Sequence, residues 1–216
     1  MTAKSIVVLI SGSGSNLQAL LNHFSEQPEK SRISAVISNK ADAYGIERAV
    51  RAGVPVHVLP HNDYADRASF DQALAGQIDK YAPDLVILAG FMRILTPEFT
   101  DRYLGRLLNI HPSLLPKYKG LDTHQRVLEA GDAEHGCSVH FVTSELDGGP
   151  VIVQARIAVT PDDTVNSLAN KVHLLEHQIY PLAAQWFVDD RLQLEHNAVL
   201  LDGQPLTANG YQYQEN

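Results

Sequence analysis

Cysteine is nearly absent from this chain: Cys137 is the single one in 216 residues. That excludes an internal disulfide framework and any multi-cysteine zinc site, and it fits a reducing compartment. Long hydrophobic runs are missing too. The N-terminus leads straight into Ile6-Val7-Val8-Leu9-Ile10, too short to span a bilayer and without a cleavable signal pattern, so a cytoplasmic location and no membrane partner are expected. Positive charge is in deficit, with a formal net charge of -8. Such a surface argues against nucleic acid as a partner, whereas a cleft for a small anion needs only local N–H groups and a few Arg or Lys. The 10 histidines are scattered: Pro60 interrupts the spacing of His57 and His61, and only His173 and His177 fall four apart on a predicted helix, so no metal site is expected. Repeats, low-complexity blocks and linkers are also lacking, which predicts one domain over 1–216 with a polar tail from about residue 206.

What is present reads as α/β. Apolar residues make up 44% of the chain, and β-rich runs alternate with helical segments, the signature of a mostly parallel, twisted sheet with crossover helices. Strands are expected at 5–10, 33–38, 54–59, 85–89, 107–110, 139–143 and 151–159, about seven in all, with a small terminal hairpin at 192–194 and 198–201. Helices are expected through Leu17, Leu20, Leu21 and Phe24, near 41–52, from an Asp66 cap through Phe70, Leu74 and Ile78, after Thr96-Pro97, over 123–130, and over 165–188 with a break at Pro181.

Three segments carry chemistry. Asn109 and His111 follow the apolar Leu107-Leu108 with one residue between them, so on an extended backbone both side chains share a face. Asp147 precedes Gly148-Gly149. An amide donor, an imidazole and a carboxylate are the parts needed to stabilise an oxyanion and move protons, although each alone is also ordinary cap or turn chemistry. Ser11-Gly12-Ser13-Gly14-Ser15-Asn16 joins the first strand to the first helix. Leu17 stands where a dinucleotide fingerprint needs its third glycine, and no Gly-Lys-Ser/Thr follows, so a single phosphate or a plain tight turn remains. Finally, Phe91-Met92-Arg93-Ile94-Leu95 follows a strand and either lines a pocket for a flat heterocycle or is simply core.

These segments together resemble the phosphoribosylglycinamide formyltransferases. The matching pieces are Ile10-Ser11-Gly12-Ser13-Gly14-Ser15-Asn16-Leu17, Ser38-Asn39-Lys40-Ala41, Leu88 to Leu95, Leu108-Asn109-Ile110-His111-Pro112-Ser113-Leu114-Leu115-Pro116, and Val139-His140-Phe141-Val142 with Leu146-Asp147-Gly148-Gly149-Pro150. Glu176-His177 and Ile179-Tyr180-Pro181 extend the likeness to essentially the full length. The resemblance implies a single-domain formyltransferase fold with a Rossmann-like N-terminal half. It implies Asn109, His111 and Asp147 as the catalytic trio, and Gly14, Ser15, Asn16, His173 and Glu176 on the ribonucleotide. Around the folate it implies Arg67, Met92, Arg93, Ile94, Leu95 and Asn109, with Thr143, Ser144, Glu145, Leu146 and Asp147. Lys119 and Asp122 depart from relatives that carry Pro and His in the 117–124 loop.

The implied reaction passes a formyl group from 10-formyltetrahydrofolate to the amine of phosphoribosylglycinamide in purine synthesis, in a monomer or homodimer, with small-molecule partners only. Asn109 and a ring N–H of His111 would face the oxyanion, and Asp147 would orient His111 and carry a proton. Among rivals, a formyltetrahydrofolate hydrolase is expected to carry an extra N-terminal domain, and a methionyl-tRNA formyltransferase a basic nucleic-acid-binding domain. A non-enzymatic nucleotide-binding module would leave Asn109, His111 and Asp147 without a purpose.

Overall fold

In the computed structural model, which describes residues 3–214, apolar runs become strands and striped segments become helices in strict alternation through most of the chain. The order is β1 (Lys4–Ile10), α1 (Ser15–Ser25), β2 (Ser31–Ser38), α2 (Gly45–Arg51), β3 (Val56–Val58), α3 (Arg67–Asp79), β4 (Leu85–Leu88), α4 (Pro97–Arg102), β5 (Leu107–His111), α5 (Thr123–Ala130), β6 (Glu134–Phe141), β7 (Val151–Ala158) and α6 (Val165–Val188). Four short strands follow: β8 (Leu192–Glu195), β9 (Ala198–Leu201), β10 (Gln204–Pro205) and β11 (Tyr211–Tyr213). The chain divides into two compact units whose boundary, between Leu108 and Asn109, falls inside β5.

In the first unit the strands are ordered β4-β1-β2-β3, all parallel. Parallel strands bury both faces, which is why β1 and β4 read as unbroken apolar runs and Ile6 to Ile10 have no exposed surface. Leu17, Leu20, Leu21 and Phe24 form the buried stripe of α1. The Asp66 carboxylate caps α3 in a reciprocal box with Ser69, and Thr96 caps α4 just before Pro97. Neighbouring parallel strands end together: Leu9 pairs with Leu88 and Ile10 with Ser38. The glycine loop after β1, Asn39 after β2 and the Gly90 turn after β4 therefore leave the same C-terminal edge, where open α/β sheets bind ligands.

In the second unit the order is β11-β7-β6-β5. β6 and β7 pair antiparallel from Glu134–Ala158 to His140–Val151, and α6 packs on both. Capping boxes are repeated here, with Thr164 and Ser167 closing the start of α6.

Several expectations needed correction. α6 continues through Pro181, which is fully inside the helix. Burial of Ile179, Tyr180, Ala183, Ala184 and Trp186 on either side outweighs the one backbone bond that proline removes. β6 begins at Glu134 rather than 139, because His135, Gly136 and Ser138 are buried polar or small residues that no apolar alternation marks. α2 begins at Gly45 rather than 41. A strand beyond those expected, β11, runs parallel to β7 within the polar tail, with Tyr211 opposite Val153.

Candidate active site

The catalytic candidates lie in the second unit. Asn109 and His111 project from the end of β5, and Asp147 lies in the turn between β6 and β7. Asp147 takes a left-handed φ of 47°, and Gly149 beside it is obligatory: a Cβ there would come within 1.8 Å of the Phe141 carbonyl oxygen. This tight return brings the carboxylate back over the end of β5, with its side chain 9% exposed. Asp147 Oδ2 accepts the Gly120 backbone N–H at 2.9 Å and lies 3.4 Å from His111 Nδ1.

The other nitrogen of His111 is also committed. Nε2 sits 2.8 Å from the Tyr118 carbonyl oxygen, so both ring nitrogens face acceptor oxygens. The sequence reading aimed a His111 N–H at substrate. In this conformation Nε2 is engaged by the Tyr118 carbonyl, and an Nε2–H role toward substrate requires that carbonyl to give way.

His140, for which the trio made no provision, supplies the fourth member. Its Nδ1 is 2.8 Å from the Phe141 carbonyl, which accepts but cannot donate, so Nδ1 carries the proton. Nε2 is then a lone-pair acceptor, and it meets the Asn109 amide nitrogen at 3.1 Å. One Asn109 N–H is held by His140 and the second is left for another acceptor. Burial pushes the His140 pKa well below 6.5, so the ring stays a neutral acceptor although Asp147 Oδ1 is 3.8 Å from Nε2. The signal for His140 was present in the sequence as a histidine amid the apolar Val139 and Phe141 of a strand.

Around this cluster the 117–124 loop is tied down by Lys119 to Glu145 at 2.6 Å and Lys117 to Asp132 at 2.8 Å. Asp122, one of the departures, stands exposed before α5 and offers no side-chain cap. Thr143, Ser144, Glu145 and Leu146 form the β6–β7 turn, with Ser144, Glu145 and Leu146 exposed. On α6, exposed His173 and buried Glu176 stand 4.0 Å apart, and the His173 and His177 rings are stacked.

A second histidine pair, with His135 buried and His124 half-buried, lies behind the loop. His124 Nδ1 and His135 Nε2 are 2.8 Å apart. Burial lowers both pKa values, that of His135 to about 4. The unfolded chain, with histidines near 6.5, therefore protonates first as the pH falls. The stabilisation is complete above about pH 6.5 and is lost as the pH approaches about 4. We expect urea unfolding midpoints to fall through that window, with His135 alone contributing roughly 3 kcal/mol and His135→Phe flattening the slope. A midpoint that is level from pH 6.5 to 4 contradicts the assignment.

In the first unit, Gly14 caps α1 in a left-handed conformation, and Ser15 and Asn16 begin the helix. Arg67 starts α3, and Arg93 lies over the Phe70 ring, with both arginines acting on the charge of Asp71. Met92 and Ile94 are exposed, at 67% and 53%, and Leu95 is buried, so the heterocycle segment is only half core. Among the described residues no three His, Cys, Asp or Glu side chains are grouped to hold a metal ion, and no helix is long and apolar enough to cross a membrane.

Comparison with known proteins gives a consistent picture. The formyl transferase family model matches residues 4–184. The chain is 55% identical to the phosphoribosylglycinamide formyltransferase of Escherichia coli, over 98% of this chain and 100% of that protein. It is 45% identical to the human trifunctional purine biosynthetic protein adenosine-3, over 89% of this chain and 19% of that much longer one. The solved structure of a phosphoribosylglycinamide formyltransferase from Coxiella burnetii superimposes with a TM-score of 0.94 at 51% identity, covering 98% of this chain and 100% of that one.

Proposed function

Since this chain belongs to the formyl transferase family, we propose that the geometry around Asn109 performs the reaction for which its near-full-length relatives are named. The chain transfers the formyl group of 10-formyltetrahydrofolate to the amine of phosphoribosylglycinamide, a step of purine biosynthesis. The observation that carries the site assignment is the Asn109 amide, held at one N–H by neutral His140 beside the His111–Asp147 pair.

The neutral amine attacks the formyl carbon, giving a tetrahedral species with a negative oxygen and a positive nitrogen. The free N–H of Asn109 donates to that oxygen, an interaction worth roughly 3–4 kcal/mol when well aimed. Asp147 accepts the proton from the substrate nitrogen directly or through water, and a proton is returned to the folate nitrogen as its bond to carbon breaks. His111, with Nδ1 3.4 Å from Asp147 Oδ2, holds the carboxylate beside Asn109. No covalent intermediate is needed, and Cys137 is buried.

The ribonucleotide phosphate binds at Gly14, Ser15 and Asn16, where N–H groups at the start of α1 favour an anion. His173 and Glu176 contact the same substrate. Arg67, Met92, Arg93, Ile94 and Leu95 hold the folate, with Asn109 and Thr143 to Asp147. The whole chain acts as one formyltransferase domain, since the family match runs through the boundary inside β5. Its location is cytoplasmic, and its partners are these two small molecules.

The test is the absorbance of tetrahydrofolate formed from 10-formyltetrahydrofolate with and without the ribonucleotide amine. Product that appears only with the amine is the expected result. Equal product without it would mean hydrolysis. A second test addresses the phosphate. Gly14 has φ 70°, and a Cβ there would sit 2.6 Å from the Gly45 Cα. Gly14→Val should raise the KM for the ribonucleotide by at least about 10-fold more than the KM for the folate. Equal changes in both would remove the loop from the phosphate site.

A further inference from the structure

Phe91–Leu95 follows β4 in neither helix nor strand, yet it is not loose. Buried side chains from two other elements of the same unit take the backbone N–H at each end. Ser11 Oγ accepts from Met92 N–H at 2.8 Å and donates to Asn39 Oδ1 at 2.6 Å. Asp71 Oδ2, on α3, accepts from Thr96 N–H at 2.6 Å. Ser11, Asn39 and Asp71 are 4%, 2% and 3% exposed, so water does not compete for these bonds.

Between the anchors the backbone behaves differently. Among the described residues, no backbone carbonyl accepts from the N–H of Arg93, Ile94 or Leu95. Backbone donors and acceptors rarely go unpaired unless water or a ligand completes them. Asp71 adds a second indication. Among the described residues its Oδ1 is buried without a hydrogen-bond partner and Thr96 is the one group that hydrogen-bonds its carboxylate, which is kept inside the protein at a cost in desolvation.

We propose that Ser11 and Asp71 are positioning residues that clamp the 92–96 segment at its two ends and hold the backbone groups of Arg93–Leu95 as an unpaired edge for the folate heterocycle. This rests on the folate reading given above. Each residue acts through the amide it holds, and the segment between is too short to choose another path when both ends are fixed. Ser11 also begins the glycine loop, so Asp71 is the cleaner probe of the two.

Calorimetry with tetrahydrofolate and with ribose 5-phosphate tests the clamp. Asp71→Leu is near-isosteric and removes the acceptor. It should raise the tetrahydrofolate Kd by on the order of 10-fold or more, with the ribose 5-phosphate Kd within about twofold. Asp71→Asn keeps an oxygen for Thr96 N–H and should restore most of the affinity. Ser11→Ala should weaken tetrahydrofolate in the same way. Amide exchange in the native protein needs no variant at all: Met92 and Thr96 should exchange slowly and Arg93 to Leu95 fast, the latter slowing when tetrahydrofolate is added. Unchanged tetrahydrofolate affinity in folded Asp71→Leu and Ser11→Ala, or fast exchange at Met92 and Thr96, overturns the clamp. A native protein that binds no tetrahydrofolate overturns the folate reading itself, and the clamp with it.

Discussion

Asp147→Asn is expected to lower kcat by roughly 10²–10⁴ while substrate dissociation constants change only a few-fold. The substitution keeps size but removes the proton acceptor and the negative charge beside His111. The surroundings determine how the new amide turns. Its oxygen must take the place of Oδ2, because the Gly120 N–H at 2.9 Å needs an acceptor. The NH2 then replaces Oδ1 and points toward His140 Nε2, 3.8 Å away, whose lone pair already holds Asn109. The variant therefore loses its base and also competes for the group that orients the oxyanion donor. Loss confined to the transition state appears in kcat rather than in binding. The acidic limb of the pH–rate profile should change as well, since it reports the ionising groups of this site. An Asp147→Asn enzyme that binds folate poorly yet turns over normally at saturation would make Asp147 a binding residue, and the proton route would then have to be sought through His140 or Asp122.

Asn109→Ala is expected to lower kcat by about 10²–10³, the usual cost of one oxyanion donor. Its effect on stability should be modest, because Asn109 is only half-buried and, among the described residues, its side chain hydrogen-bonds only to His140. That bond predicts a further result. If His140 acts by fixing the Asn109 amide, His140→Phe should cost rate in the native background and almost nothing more in Asn109→Ala. Nitrogen NMR of the His140 ring should show the proton on Nδ1 and a bare Nε2. A fully active Asn109→Ala removes the residue from the chemistry, and additive losses in the double variant separate His140 from it.

The sequence alone determined several features that depend on neighbours along the chain. β1 and β4 were legible because burial on both faces demands unbroken apolar runs. α6 was legible from 165 to 188 because its apolar stripe is local. Asn109 and His111 were legible as a pair because a two-residue step on a strand repeats its face. Tertiary structure decided the partners. His140 reaches Asn109 from 31 residues away, and the Tyr118 carbonyl and Gly120 N–H that hold His111 and Asp147 are backbone groups, which every residue has. It also decided that Pro181 stays within a helix and that Tyr211–Tyr213 becomes a strand on β7. Periodicity reports which face of an element is buried, and a motif reports which chemical groups are near one another in sequence. Neither records which acceptor a given N–H finds, because that choice is made only when distant segments close around it.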